Sequence, residues 1–188
     1  MVVKAIKDAS VKGHLKLGID TGEGLSWFLV SEGQYESIDS PLIGDELSED
    51  SFRTVLHFEE YNRAKRRALN ILAFGDNSSR ELLMKLSRAG ISRPIAEKVR
   101  DEMIRLGYID EERQLLRLVE NEATLRLVGP KKIIAKLVSK GYAPEKIKSA
   151  MHTLELEGRI DFQEIRAKLT EEIESDEEKR KLLYKKGF

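Results

Sequence analysis

The sequence predicts a mainly α-helical fold: tandem three-helix repeats in an elongated array, with a small N-terminal segment that contains a β-hairpin. Three observations lead there. Apolar residues recur at helical spacing from Ser48 onward, helix-stopping glycines recur at a constant 51-residue offset, and residues 1–47 alternate and turn as strands do.

The elements follow in chain order. His14–Asp20 alternates apolar and polar, Thr21-Gly22-Glu23-Gly24 signals a turn, and Leu25–Val30 is rich in β formers, which together predict a hairpin. Val2–Ile6 supplies a third strand. Two strands alone are marginal in water, so Trp27 or Phe28 is expected to pack on a partner surface. Gly33, Pro41 and Gly44 punctuate a connecting segment. Ser48 is an N-cap for a connecting helix over 48–57, with Phe52, Val55, Leu56 and Phe58 on one face. Tyr61, Ala64, Ala68, Leu69 and Leu72 continue the helical spacing to a break at Gly75. Ser78-x-x-Glu81 opens the next helix as a capping box, Leu82, Leu83 and Leu86 give it an apolar face, and Gly90 ends it. Pro94 then sits in a first helical turn, where its missing N–H costs nothing, and Gly107 closes that helix.

The pattern returns 51 residues later without a gap. Residues 79–110 and 130–161 share six identities: Lys85, Leu86, Gly90, Gly107, Ile109 and Asp110 with their counterparts. These fall on helix ends and core positions. The organisation expected is an N-terminal β-rich segment over 1–47, a first three-helix repeat over 58–108, a second over 109–159, and an incomplete third over 160–188. In the third, Ile165, Leu169 and Ile173 fit a first helix and Asp176–Lys186 a second, with a further helix expected after Phe188. Each unit in such an array buries its apolar face against its neighbours.

Composition narrows the function. The chain has no cysteine, which excludes disulfides, thiolate metal sites and a cysteine nucleophile. It has no apolar run of membrane-spanning length and no signal-peptide pattern, so a cytoplasmic location is expected. Net charge is zero, yet residues 1–50 carry −6 and residues 51–188 carry +6; residues 61–148 alone carry +9. That field favours a polyanionic partner. His14, His57 and His152 are isolated, so no metal site is expected, and Gly22-Glu-Gly24 lacks the third glycine of a dinucleotide-binding loop. No nucleophile–base pair stands out, and neither an enzyme nor a cofactor is expected.

Ser78-x-x-Glu81-Leu82-x-x-Lys85-Leu86-x-x-x-Gly90, then Gly107-Tyr108-Ile109-Asp110-Glu111, then Gly129-x-x-x-Ile133-x-x-Lys136-Leu137-x-x-Lys140-Gly141, resembles the RecX family in order and spacing over about residues 58–188. Lys185-Lys186-Gly187-Phe188 is similar to that family's basic-Gly-Phe turn. The chain departs from the family pattern at Glu111, usually Asp, at Gln114 and Leu115, usually an aromatic and Ala, and at Asn77, commonly Arg. The resemblance implies a non-enzymatic modulator of the recombinase RecA, an inhibitor, that binds the RecA filament on single-stranded DNA as a monomer. It would act in homologous recombination, DNA repair and the SOS response. Arg66, Arg67, Lys131, Lys132, Lys136 and Lys140 are the candidate residues for contact with acidic RecA surface or, weakly, with DNA; each also fits an ordinary solvated helix face.

The alternative is a helix-turn-helix DNA-binding transcriptional regulator, which the short turns at Gly90 and Gly141 permit. The segments after those turns carry Glu97, Asp101, Glu102, Glu145 and Glu155, whereas a recognition helix is expected to be basic.

Overall fold

The computed structural model describes residues 1–188. An antiparallel sheet of three strands, β1 (Val2–Asp8), β2 (His14–Asp20) and β3 (Leu25–Ser31), is followed by nine α-helices. These are α1 (Glu32–Glu36), α2 (Glu49–Ala73), α3 (Ser79–Arg88), α4 (Arg93–Arg105), α5 (Glu111–Glu120), α6 (Pro130–Ser139), α7 (Pro144–Leu156), α8 (Phe162–Thr170) and α9 (Asp176–Lys186). The chain packs as two compact units, one of residues 1–71 and 86–101, the other of residues 72–85 and 102–188.

In the first unit the sheet turns one face inward. Val3, Leu17, Ile19, Phe28 and Val30 join Ile38, Leu47 and Val55 in one apolar core. Phe28 stands edge-on to Phe52 of α2, with ring centroids 5.7 Å apart. Phe28 is therefore the packing residue of the hairpin, and Trp27, one position along the strand, faces outward. Side chains from the helices seal the edge of β3. The Leu29 N–H donates to Glu59 Oε2 at 2.8 Å, Asn62 Nδ2 donates to the Leu29 carbonyl at 2.8 Å, and the Ser31 N–H donates to Gln34 Oε1 at 2.8 Å. An edge strand whose groups are paired in this way offers no template to another strand along that stretch.

Two features depart from the expected organisation. Glu32–Glu36 forms a short helix with a full capping box between Ser31 and Gln34, where only a connecting segment is expected. Residues 49–73 form a single unbroken helix, so the position between 57 and 58 is not an element boundary. No Pro or Gly lies within that stretch to break it.

In the second unit the core gathers Leu115, Val119, Ala123, Ile133, Leu137, Tyr142, Ile147, Met151, Leu154, Ile160, Phe162 and Ile165. The caps are where the sequence places them. The Glu81 N–H donates to Ser78 Oγ at 3.1 Å and the Ser78 N–H to Glu81 Oε2 at 3.3 Å, closing the capping box. Asp110 caps α5 through the Arg113 N–H, and Asp161 caps α8 through the N–H groups of Gln163 and Glu164. Element bounds recur at the same 51-residue offset: α3 with α6, and α4 with α7, begin and end in step. Between α5 and α6 the backbone widens into a π-turn over Asn121–Leu125, and Leu127 takes a left-handed conformation at φ 51°. Ile173 lies beyond the end of α8, in the turn before α9.

Candidate functional site

The candidate basic residues divide between the two units. Arg66 and Arg67 lie exposed on α2. Arg66 reaches Glu59 at 3.9 Å, a long and solvated ion pair. The Arg67 side chain extends into solvent. Lys131, Lys132, Lys136 and Lys140 all lie at or within α6.

Most of the α6 cluster has internal work. An α-helix begins with four N–H groups that have no partner inside the helix. Gly129, the N-cap of α6, has no side chain with which to cap them. The carbonyls that end α9 fill that role: the Gly129 N–H donates to Lys186 O at 2.8 Å and the Lys131 N–H to Gly187 O at 3.1 Å. Lys132 Nζ donates to Lys185 O at 2.9 Å and Lys131 Nζ to Phe188 O at 3.3 Å. Lys186 Nζ returns a bond to the Arg126 carbonyl at 3.1 Å. The C-terminal end of one helix dipole thus meets the N-terminal end of another, a favourable pairing. The fit is close, since a Cβ on Gly129 would lie 2.6 Å from the Gly187 carbonyl. Phe188 then stands edge-on to Phe162, with centroids 6.4 Å apart.

The same junction occurs one step earlier. At the other end of α6, Gly141 lies against the start of α3, and Ser78 Oγ donates to the Lys140 carbonyl at 2.6 Å. So α9 abuts α6 and α6 abuts α3, each tail against the next head.

Lys136 is also committed. Its Nζ lies 2.6 Å from Glu122 Oε1, and Arg126 reaches the same oxygen at 2.8 Å. Glu122 is buried, and two cations around one buried carboxylate are a structural ion cluster. Lys131, Lys132 and Lys136 therefore hold the fold together, which the sequence reading did not anticipate. Lys140 contributes its carbonyl to the junction and leaves its ammonium without a hydrogen-bond partner.

A second basic constellation lines a groove along α5. Arg113 and Arg117 lie one turn apart, with Arg159 and the half-exposed Tyr108 beside them. Acids balance it: Arg117 pairs with Asp76, and Arg159 with Glu120 and Glu157. The wall behind α5 is also ordered by charge. The Glu111 carboxylate accepts the Ser79 N–H at 2.9 Å and Lys146 Nζ at 3.0 Å. Burial would raise its pKa, but these bonds outweigh burial and hold it below its ordinary value. Pairing by 51-residue offsets could not reveal these contacts, because they join positions that are not repeat-equivalent.

No group of three or more His, Asp or Glu side chains is arranged to hold a metal ion. No helix is long and apolar enough to cross a membrane.

No protein-family model matches the chain. It is 28% identical over 142 residues to regulatory protein RecX of Clostridioides difficile (strain 630), across 76% of this chain and 66% of that protein. It is 27% identical over 120 residues to regulatory protein RecX of Lactobacillus johnsonii, across 64% of this chain and 44% of that protein. Among solved structures, a crystal structure of regulatory protein RecX superposes with a TM-score of 0.76 at 19% identity, covering 100% of this chain and 94% of that one. The chain is similar to RecX proteins in sequence and in fold. RecX from Lactobacillus salivarius superposes with a TM-score of 0.61 at 21% identity, covering 69% of this chain and 88% of that one. These two likenesses establish the fold: mainly α, with a small N-terminal antiparallel sheet. The chain spans less than two thirds of the length of the curated RecX relatives it matches.

Proposed function

We propose that this chain is a non-enzymatic, monomeric modulator of RecA, an inhibitor, that binds the RecA filament on single-stranded DNA in the cytoplasm and so acts in recombinational repair and the SOS response. The observation that carries the reading is the RecX fold along the full chain, together with relatives named as regulatory proteins. The proposal extends to organisation: three-helix repeats over 58–108 and 109–159 and a third unit over 160–188, each presenting equivalent helix ends along the chain. Of the candidate residues, Arg67 and Lys140 suit a contact role best, because their charges are not spent inside the fold. Lys131, Lys132 and Lys136 are occupied by contacts within the second unit.

The test is RecA's DNA-dependent ATP hydrolysis on single-stranded DNA, titrated with the full chain from substoichiometric amounts. The expected result is a dose-dependent fall that weakens in an Arg67→Glu, Lys140→Glu double variant whose helical circular dichroism is unchanged. ATP hydrolysis unaltered at equimolar protein would overturn the proposal.

A further inference from the structure

The outer face of the N-terminal sheet has no part in the junctions described above. Its strands are in continuous register there: Ala5, Gly18 and Trp27 form one cross-strand row, and Lys7, Lys16 and Leu29 the next. Trp27 is the only tryptophan of the chain and is 42% exposed. Its ring lies over Gly18, where a Cβ would come within 3.2 Å of two ring atoms. The missing side chain at 18 is what lets the indole lie along the sheet instead of standing off it. Cations surround the ring. Lys7 Nζ lies 4.9 Å from the ring centroid, and Lys16 and Arg66 line the same depression.

Core packing does not account for this arrangement. Lys7 and Lys16 are directly paired partners on one face, and like charges in that position destabilise a sheet. The indole covers Gly18 and takes a cation–π contact from Lys7, yet leaves 42% of its surface to solvent. A like-charge pair kept on one face at a cost that one weak cation–π contact offsets only in part points to another purpose. The lone carboxylate in the depression, Glu59, is held by the Leu29 N–H and Arg66, so the face keeps a positive excess.

We infer that this face is a stacking platform for single-stranded nucleic acid, with Trp27 under a base and Lys7, Lys16 and Arg66 on the flanking phosphates. A flat aromatic within a cationic groove is what strand binding without sequence preference requires. In the free protein Lys7 covers the indole; an arriving base displaces it toward a phosphate, exchanging a weak exposed cation–π contact for stacking plus counterion release. The inference goes beyond the RecA reading and does not depend on it, because the platform needs no second protein.

The single indole makes the site its own reporter. Titrating the full chain with a short poly-dT oligonucleotide, with RecA absent, is expected to quench tryptophan emission saturably. The logarithm of affinity should fall with the logarithm of salt at a slope of about −2, from three phosphate contacts at roughly −0.7 each. Lys16→Gln, an exposed change that leaves the fold intact, should reduce that slope by about 0.7. Trp27→Leu, followed by anisotropy of a labelled oligonucleotide, should weaken binding by about 5- to 100-fold. Emission unmoved by poly-dT at low salt would overturn the inference. So would equal quenching by a blunt duplex, whose base faces are hidden, or by poly-glutamate, which would reassign the face to acidic polypeptides. Any of these outcomes leaves the effect on RecA to be read separately, and a silent RecA assay leaves the quenching result standing.

Discussion

Tyr142 and Gln114 show how much can rest on one buried pair. The Tyr142 hydroxyl donates to Gln114 Oε1 at 2.9 Å, and both residues are buried. Burial above all, then the nearby Glu81 and Glu111 carboxylates, push the hydroxyl up to about 12 from an ordinary 10.0. The folded state thus holds this proton more tightly than the unfolded state does. The stabilisation is full below the unfolded value and drains away as pH rises through the folded one. Tyr142→Phe should cost about 1–3 kcal/mol near neutrality by leaving Gln114 Oε1 without its donor. Urea unfolding of both proteins at about pH 7 and about pH 11 checks this, and the gap between them should shrink at the higher pH. A gap that stays constant would mean the hydroxyl is not the titrating group. Sequence reading placed Gln114 as a departure from the family's aromatic but supplied no partner for it. The partner lies 28 residues away, and only the packing of α5 on α7 and the turn before it brings the two together.

Helix ends were the most legible elements because their signals are local. Ser78, Asp110 and Asp161 cap as their chemistry requires, and Gly90, Gly107, Gly141, Gly158 and Gly187 all take positive φ. The glycines are not equivalent, however, and sequence could not rank them. Gly90 has φ +75° with open space around it, whereas a Cβ on Gly141, at φ +93°, would lie 2.8 Å from Arg80 Cβ. Gly90→Ala should therefore cost only the left-handed backbone penalty of about 1–2 kcal/mol. Gly141→Ala should add a packing penalty of about 1–3 kcal/mol, because the α6–α3 junction has to open. Thermal melts of the two variants decide it; equal losses would show that the junction yields freely. Features without a local signal were missed: the π-turn at Asn121–Leu125, the left-handed Leu127, and the continuity of α2 across residues 57 and 58. The candidate basic residues were missed in a different sense. Their exposure was legible, but the carbonyls and the buried Glu122 that occupy three of them come from distant segments.

Across the molecule, each of the two units has an apolar core, one around Leu17, Ile19 and Val55 and the other around Leu115, Ile133 and Leu154. α9 belongs to neither, since none of its residues is buried. What holds it is the pair Gly187–Phe188 at its end and the lysines of α6 that grip its last carbonyls. Local opening follows local contact, so α9 amides should exchange with deuterium faster than those of α6 and α7. Phe188→Ala should speed that exchange further while leaving the amides around Leu17 and Val30 unchanged. Uniform protection across these helices would contradict the picture. The tail-to-head junctions also impose an order of events during synthesis. The chain emerges from the ribosome N-terminus first, yet the Ser78 hydroxyl at the start of α3 waits for the Lys140 carbonyl, and the amides opening α6 wait for Lys186 and Gly187. The start of each of these helices is made well before the residues that complete its junction. The nascent chain accordingly completes this junction backward, and the emergence of Lys186 and Gly187 sets the clock for amides of Gly129 and Lys131 that were translated 57 and 56 positions earlier.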